Sequence, residues 1–188
     1  MKTLTILLII FLFNINLLAQ QEKTVFGKPG LRITGVWGGP VVGLGQVNDN
    51  LLVIRGGFGG IEFGKKLFIG WGGYETDNDV YLDALDNDQI KMNYSGFMLG
   101  YTPKAHKTLH PNFTILAGTG RAQVDSNEED NLFIIQPTVG LEINLFRFFH
   151  LSWDTGYRWV TNVNIPGVAS NDFSNVYTEI KMKFGFSW

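Results

Sequence analysis

Carboxylates crowd the stretch from Glu75 to Asp88, where Glu75, Asp77, Asp79, Asp83, Asp86 and Asp88 follow one another closely. Several such oxygens could hold a hard cation such as calcium. The spacing does not support it: with Asp77 taken as first ligand, Tyr81 stands where the fifth belongs and no glycine holds the sixth place. A solvated acidic loop is the expectation. Further on, His150-Leu151-Ser152 places an imidazole and a hydroxyl two residues apart, hence on one face if the segment is a strand. Two short glycine patterns, Gly43-Leu44-Gly45 and Gly57-Phe58-Gly59, lack the continuation and the following helix that a dinucleotide site needs. With no cysteine in the chain, disulfides and thiolate zinc sites are excluded. No catalytic residue, cofactor or metal site is predicted.

The elements that would position these residues are strands. Glycines sit inside apolar segments, as in Gly56-Gly57-Phe58-Gly59-Gly60-Ile61, where each would cost a helix about 1 kcal/mol relative to Ala. Val176, Ile180, Met182, Phe184, Phe186 and Trp188 recur at a period of two, with Glu179, Lys181, Lys183, Gly185 and Ser187 between them. That period marks a strand with one apolar and one polar face. Eight such strands are predicted, at 29–39, 51–63, 67–75, 89–101, 111–124, 132–145, 149–160 and 174–188. Each reaches the roughly 9 to 11 residues of a tilted membrane-spanning strand, and an even number suits an antiparallel barrel. The predicted fold is therefore all-β, an eight-stranded antiparallel up-and-down transmembrane barrel. Two prolines break the pattern: Pro137 calls for a bulge at Gln136-Pro137, and Pro40 either ends the first strand or kinks it.

Met1-Lys2, an apolar run from Leu4 to Leu18 and then Ala19-Gln20-Gln21 have the layout of a signal peptide. Residues 1–20 are assigned to it, which leaves 21–188 as one barrel domain. The formal net charge of −2 and scattered basic residues argue against a nucleic-acid partner. Connections alternate: Gly64-Lys65-Lys66, Pro103 to Lys107 and Phe146-Arg147-Phe148 are short or basic, whereas the others include the acidic 75–88 stretch and Asp125, Glu128, Glu129 and Asp130. Short turns on one side and longer loops on the other fit an outer-membrane barrel with both termini in the periplasm.

Side-chain size chooses the lipid-facing side. Strands six and seven carry Ile135, Val139, Leu141, Ile143, Leu145, Phe149, Leu151, Trp153, Tyr157 and Trp159 on their bulky faces. A lumen of eight strands is too narrow for so many rings, so they belong outside. Glu142, Asp154, Glu179, Arg158, Lys181 and Lys183 then point inward and must pair with one another. Arg55, Glu62, Lys91 and Arg121 are expected to join them, in strands whose register the glycine pairs blur.

With its signal peptide, eight-strand spacing and closing Phe184-Gly185-Phe186-Ser187-Trp188, the chain resembles the small outer-membrane barrels of Gram-negative bacteria, the outer-membrane-protein-A/X-like and porin-family barrels, with a compositional likeness to Bacteroidetes members. That resemblance implies insertion by the barrel assembly machinery through Val176 to Trp188, contact with outer-membrane lipids and lipopolysaccharide, a monomer, and a structural or adhesion-like role for the loops. His150-Leu151-Ser152 also resembles the His-x-Ser pair of the lipid A deacylase barrels, in which His activates Ser with an acidic partner. Trp153 stands where that family has Asn, and the shared face is the lumen, so an interior histidine without catalysis is expected. A lipid-modifying barrel and a soluble lipocalin-like carrier are the alternatives.

Overall fold

A computed structural model of the chain describes residues 32–47, 50–77, 80–81, 89–124, 128–162 and 170–188. The signal-peptide assignment lies outside them. Long strands β1 (Ile33–Val47), β2 (Asn50–Phe63) and β3 (Leu67–Thr76) come first, followed by a two-residue strand β4 (Val80–Tyr81). Then come β5 (Gln89–Tyr101), β6 (Leu109–Val124), β7 (Glu128–Phe146), β8 (Phe149–Thr161) and β9 (Asn175–Ser187). Each long strand pairs antiparallel with its neighbours. The chain ends meet as β1 beside β9, and β3 pairs β5 to close the ring. The eight-stranded barrel predicted from periodicity is the observed fold; β4 only adds two pairs beside the start of β5, Val80↔Ile90 and Tyr81↔Gln89. Closure leaves no long strand with an open edge.

Two turns show why the ring is tight at one end. Gly64 and Lys65 both adopt left-handed backbone, with φ of 57° and 58°, and Lys66 N–H donates to Phe63 O at 3.1 Å. Two positive φ values inside such a bond define the hairpin turn whose twist matches that of its strands. Lys65 N–H in turn donates to the Thr34 hydroxyl at 2.9 Å, tying the turn to β1. Only Arg147 and Phe148 join β7 to β8.

The prolines cost rungs rather than strands. β1 does not stop at 39 but runs on to Val47, with Pro40 opposite Gly57 in an unbroken β1–β2 ladder. On its other side, Gly38↔Phe184 and Val41↔Lys181 keep one register while Gly39 and Pro40 have no partner in β9. Pro137 behaves alike: β7 stays in register with β8 from Ile135↔Trp159 to Thr138↔Gly156, and pairing is lost only at 136 and 137. The bulge expected at Gln136-Pro137 is absent, because losing one N–H donor removes a bond without inserting a residue. The β7–β8 irregularity falls instead between Asn144 and Phe146, beside the turn.

Longer strands also shorten the loops. β1 and β2 are separated only by residues 48–49, and β6 and β7 only by 125–127. Glu128, Glu129 and Asp130, expected in a loop, are paired in β7 with Val124, Gln123 and Ala122. The other two connections on this side are longer, at 77–88 and 162–174.

Candidate functional site

Alternation along β6 to β9 delivers a set of polar side chains into the turn-side half of the lumen. Asn112, Glu142, Ser152, Asp154, Glu179 and Lys181 are all buried there. Lys181 Nζ lies 2.8 Å from Asp154 Oδ2 and 2.9 Å from Glu179 Oε1. Lys183 Nζ lies 2.7 Å from Glu142 Oε2, and His150 Nδ1 lies 2.8 Å from Glu142 Oε1. Each carboxylate expected inward from the last three strands thus meets a cation, Glu179 also sensing Arg158. Position makes this possible: Asp154 stands across from Gly140, where any Cβ would overlap the carboxylate.

His150 and Ser152 share this lumen face, as their spacing predicted, but among the described residues neither engages the other. His150 is held by Glu142, while Ser152 donates to Asp154 and accepts from Asn112 Nδ2. Asn112 Nδ2 also reaches Asp154 Oδ1 at 3.1 Å. Ser152 is 0% exposed, so no lipid touches its hydroxyl. His110 adds a second imidazole, with Nδ1 donating to Lys107 O at 2.9 Å and Nε2 standing 3.7 Å from Glu142 Oε1. Sequence reasoning missed Asn112 and His110. The alternation His110, Asn112, Thr114 was the available signal, hidden by a strand start placed at 111.

The loop-side half of the lumen is a different material. Val41, Leu52, Ile54, Tyr74, Met92, Tyr94, Leu116, Leu132, Ile134 and Val160 form one buried apolar cluster. Tyr74 and Tyr94 stack with centroids 5.0 Å apart. A short 3-10 helix, Ser170–Phe173, folds back over this end and buries Phe173 in the same cluster. Ser174 fastens the helix, its hydroxyl accepting from Val160 N–H at 2.9 Å and donating to Ser170 O at 2.9 Å. Arg158, 0% exposed, sits between the two halves; its Nε donates to Phe173 O at 3.3 Å and its guanidinium lies over the Tyr94 ring.

Around β3, β5 and β6 the outer wall changes in step, while Leu44, Phe133, Trp159 and Val176 keep it apolar on the other strands. On the turn-side half it is apolar and exposed: Trp71, Phe97 at 69%, Leu141, Trp153 at 67%, Ile180 and Phe184 face outward. On the loop side, Arg55, Glu75, Asp77, Lys91, Asn93 and Arg121 are exposed on strands β2, β3, β5 and β6 or just beyond. This corrects the expectation that Arg55, Lys91 and Arg121 point inward; there the interior is already filled by apolar side chains. Arg55 instead pairs with Asp77 at 2.8 Å outside the wall. Glu62 is inward as expected, accepting from Thr34 and Ser187 hydroxyls at 3.0 and 2.7 Å. Trp37 is the exception among the tryptophans, buried inside against the His150 ring. Of the acidic stretch, Glu75 lies in β3 and Asp77 just after it, while 78–79 and 82–88 lie outside the described residues.

The described residues form a closed eight-stranded barrel with an apolar outer belt, a fold shared with small outer-membrane barrels of known structure. No family model and no curated protein sequence matches the chain. Solved structures do. The chain is similar to Neisserial surface protein A, at TM-score 0.58 and 11% identity over 82% of this chain and 96% of that one. It is similar to the N-terminal β-barrel domain of OprF from Pseudomonas aeruginosa, at TM-score 0.55 and 11% identity, covering 82% and 98%. Ail, the attachment invasion locus protein of Yersinia pestis, follows at TM-score 0.51 and 13% identity, covering 84% and 99%.

Proposed function

We propose that the protein is a non-enzymatic, integral outer-membrane barrel whose closed lumen serves stability and whose loop-side end serves contact with other surfaces. The observation that carries this reading is the outward belt of large apolar side chains around a lumen that holds the charges. In water, exposing Trp153, Phe97 and Phe186 together would be a large liability; in hydrocarbon it is the required arrangement. Midway along the lumen, the cavity among Phe58, Phe68, Met98, Asp154 and Lys181 is about 30 Å³, the room of roughly one water molecule and too little for a carried apolar ligand. That separates this reading from a soluble carrier.

With termini and short turns facing the periplasm, the polar wall of β2 to β6 and the acidic loops extend outward. Two of the similar barrels bear names of surface and attachment proteins, and a surface-contact role is the one proposed here. Partners in this reading are outer-membrane lipids and lipopolysaccharide along the belt, and the assembly machinery reading Val176 to Trp188; the barrel acts as a monomer. Fluorescence in bilayers with brominated acyl chains tests it. Quenching of the outward tryptophans, heat-modifiable migration and retention in carbonate-washed outer membranes are expected. Recovery as a soluble periplasmic species overturns the proposal.

A further inference from the structure

At the turn end the lumen opens into a basin of about 450 Å³, and its charges do not cancel. Lys65, Lys66, Arg147 and Lys183 line it against two carboxylates, Glu62 and Glu142. Both carboxylates are already served by the protein: Thr34 and Ser187 donate to the first, Lys183 and His150 to the second. A surplus of two positive charges is left at the mouth. The basin also holds an unused donor. Trp37 lines it and is 3% exposed, yet its indole N–H has no partner among the described residues. That nitrogen lies 3.1 Å from where a Cβ on Gly35 would stand, a point also 2.6 Å from Phe186 O and 3.0 Å from Glu62 Oε1, so only glycine leaves the indole room at residue 35.

We propose that this basin is an anion site for a phosphate group. A phosphate monoester dianion matches the whole surplus charge and a phosphodiester half of it, and the free oxygens of either suit a set of separate N–H donors better than a single-point anion does. Lys183 forms the floor, over the Trp37 ring, whose buried N–H lies just beneath. Lys65, Lys66 and Arg147 form the rim, the first two carried on a turn whose backbone is fixed by the Thr34 hydroxyl. Lys183 keeps two of its three donors after serving Glu142. The source of the phosphate is either a soluble phosphate monoester or the headgroup of a phospholipid in the adjoining leaflet. Only the compartment rests on the orientation proposed above; the recognition chemistry does not.

The test uses the barrel refolded in alkyl maltoside micelles, which carry no phosphate, with its fold verified by heat-modifiable migration. Sodium phosphate is titrated at constant ionic strength against sodium chloride while the Trp37 indole N–H resonance is followed by NMR. A saturable shift is expected, with affinity at least tenfold weaker in the Lys65→Ala/Lys66→Ala/Arg147→Ala variant, whose three side chains are exposed. A second arm compares nanodiscs of phosphatidylglycerol and of a phosphate-free glycolipid, both without free phosphate; a shift confined to phosphatidylglycerol identifies the headgroup as the source. No saturable shift in either arm, a shift that chloride reproduces, or unchanged affinity in the triple variant overturns the proposal. Each of those results leaves the barrel's membrane role standing.

Discussion

Around β3, β5 and β6 the two halves of this barrel present opposite outer walls, polar toward the loops and apolar toward the turns. Toward the turns, Asn112, Glu142, Asp154 and Lys181 share the lumen with Phe58, Phe68 and Trp37, and the outer wall is apolar; toward the loops, Leu52, Ile54, Tyr74, Tyr94 and Leu132 fill the lumen, while Arg55, Lys91, Asn93 and Arg121 stand outside on one part of the wall and Leu44, Trp159 and Val176 on the other. One strand carries both patterns. β5 presents Lys91, Asn93 and Ser95 and then Phe97, Leu99 and Tyr101 along the same outward row. The ladder does not change at the crossing, only the solvent does. Because β6 and β7 run 16 and 19 residues where a span needs roughly 9 to 11, strand length is left over beyond the apolar belt, and on β3, β5 and β6 that surplus carries the polar outer row.

Substitutions can break or sharpen that contrast. Lys181→Met leaves Asp154 and Glu179 buried without their shared cation, and a broken buried pair costs about 3–5 kcal/mol; urea unfolding in micelles should show a loss of that size, the largest of the series. In the loop-side half, Leu116→Ala removes a fully buried side chain from an apolar cluster, and about 2–5 kcal/mol is expected by the same measurement. Next comes one change made at two outward positions. Leu141→Arg in the apolar belt should cost about 2–4 kcal/mol in a bilayer, whereas Thr119→Arg, outward on the loop side, should stay within about 0.5 kcal/mol. Equal costs at the two sites would erase the boundary drawn here. The smallest effect belongs to Arg55→Ala, which removes an exposed ion pair with Asp77 and should cost about 0–1 kcal/mol.

That boundary also explains what could be read from the amino-acid sequence. In β7, β8 and β9 bulky and polar residues alternate without interruption through the belt, so their facing was legible, as were strand number and closure. In β3, β5 and β6 the rule large-outside holds for only half of each strand, and in β2 it fails at Arg55 although Leu51 still faces out. Applied along the whole length, it sent Arg55, Lys91 and Arg121 to the wrong side. Glycine pairs such as Gly56-Gly57 and Gly59-Gly60 removed the size signal where the change occurs. Pro40 and Pro137 were read as breaks because a proline costs a donor, but in a closed barrel each strand has two neighbours and loses rungs on one side alone. Phe173 carried no periodic signal, since it acts from a single helical turn outside the barrel strands. The candidate site was half visible: its ions were, but Trp37 and the basin were not, because they depend on three turns meeting around one mouth.

The seam between β1 and β9 deserves a mechanical reading. It joins the two ends of the chain, so it spans the longest stretch of sequence of any strand pair, and contacts of that kind are slow to form. It is also incomplete, with the ladder skipping Gly39 and Pro40, where β1 presses so close on Met182 O that no side chain fits at residue 39. A hoop with one imperfect clasp shuts there last and slips there first. Stapling the clasp, for instance by a cysteine pair at Val42 and Ile180, which face each other across it, should slow unfolding far more than the same link inside any hairpin.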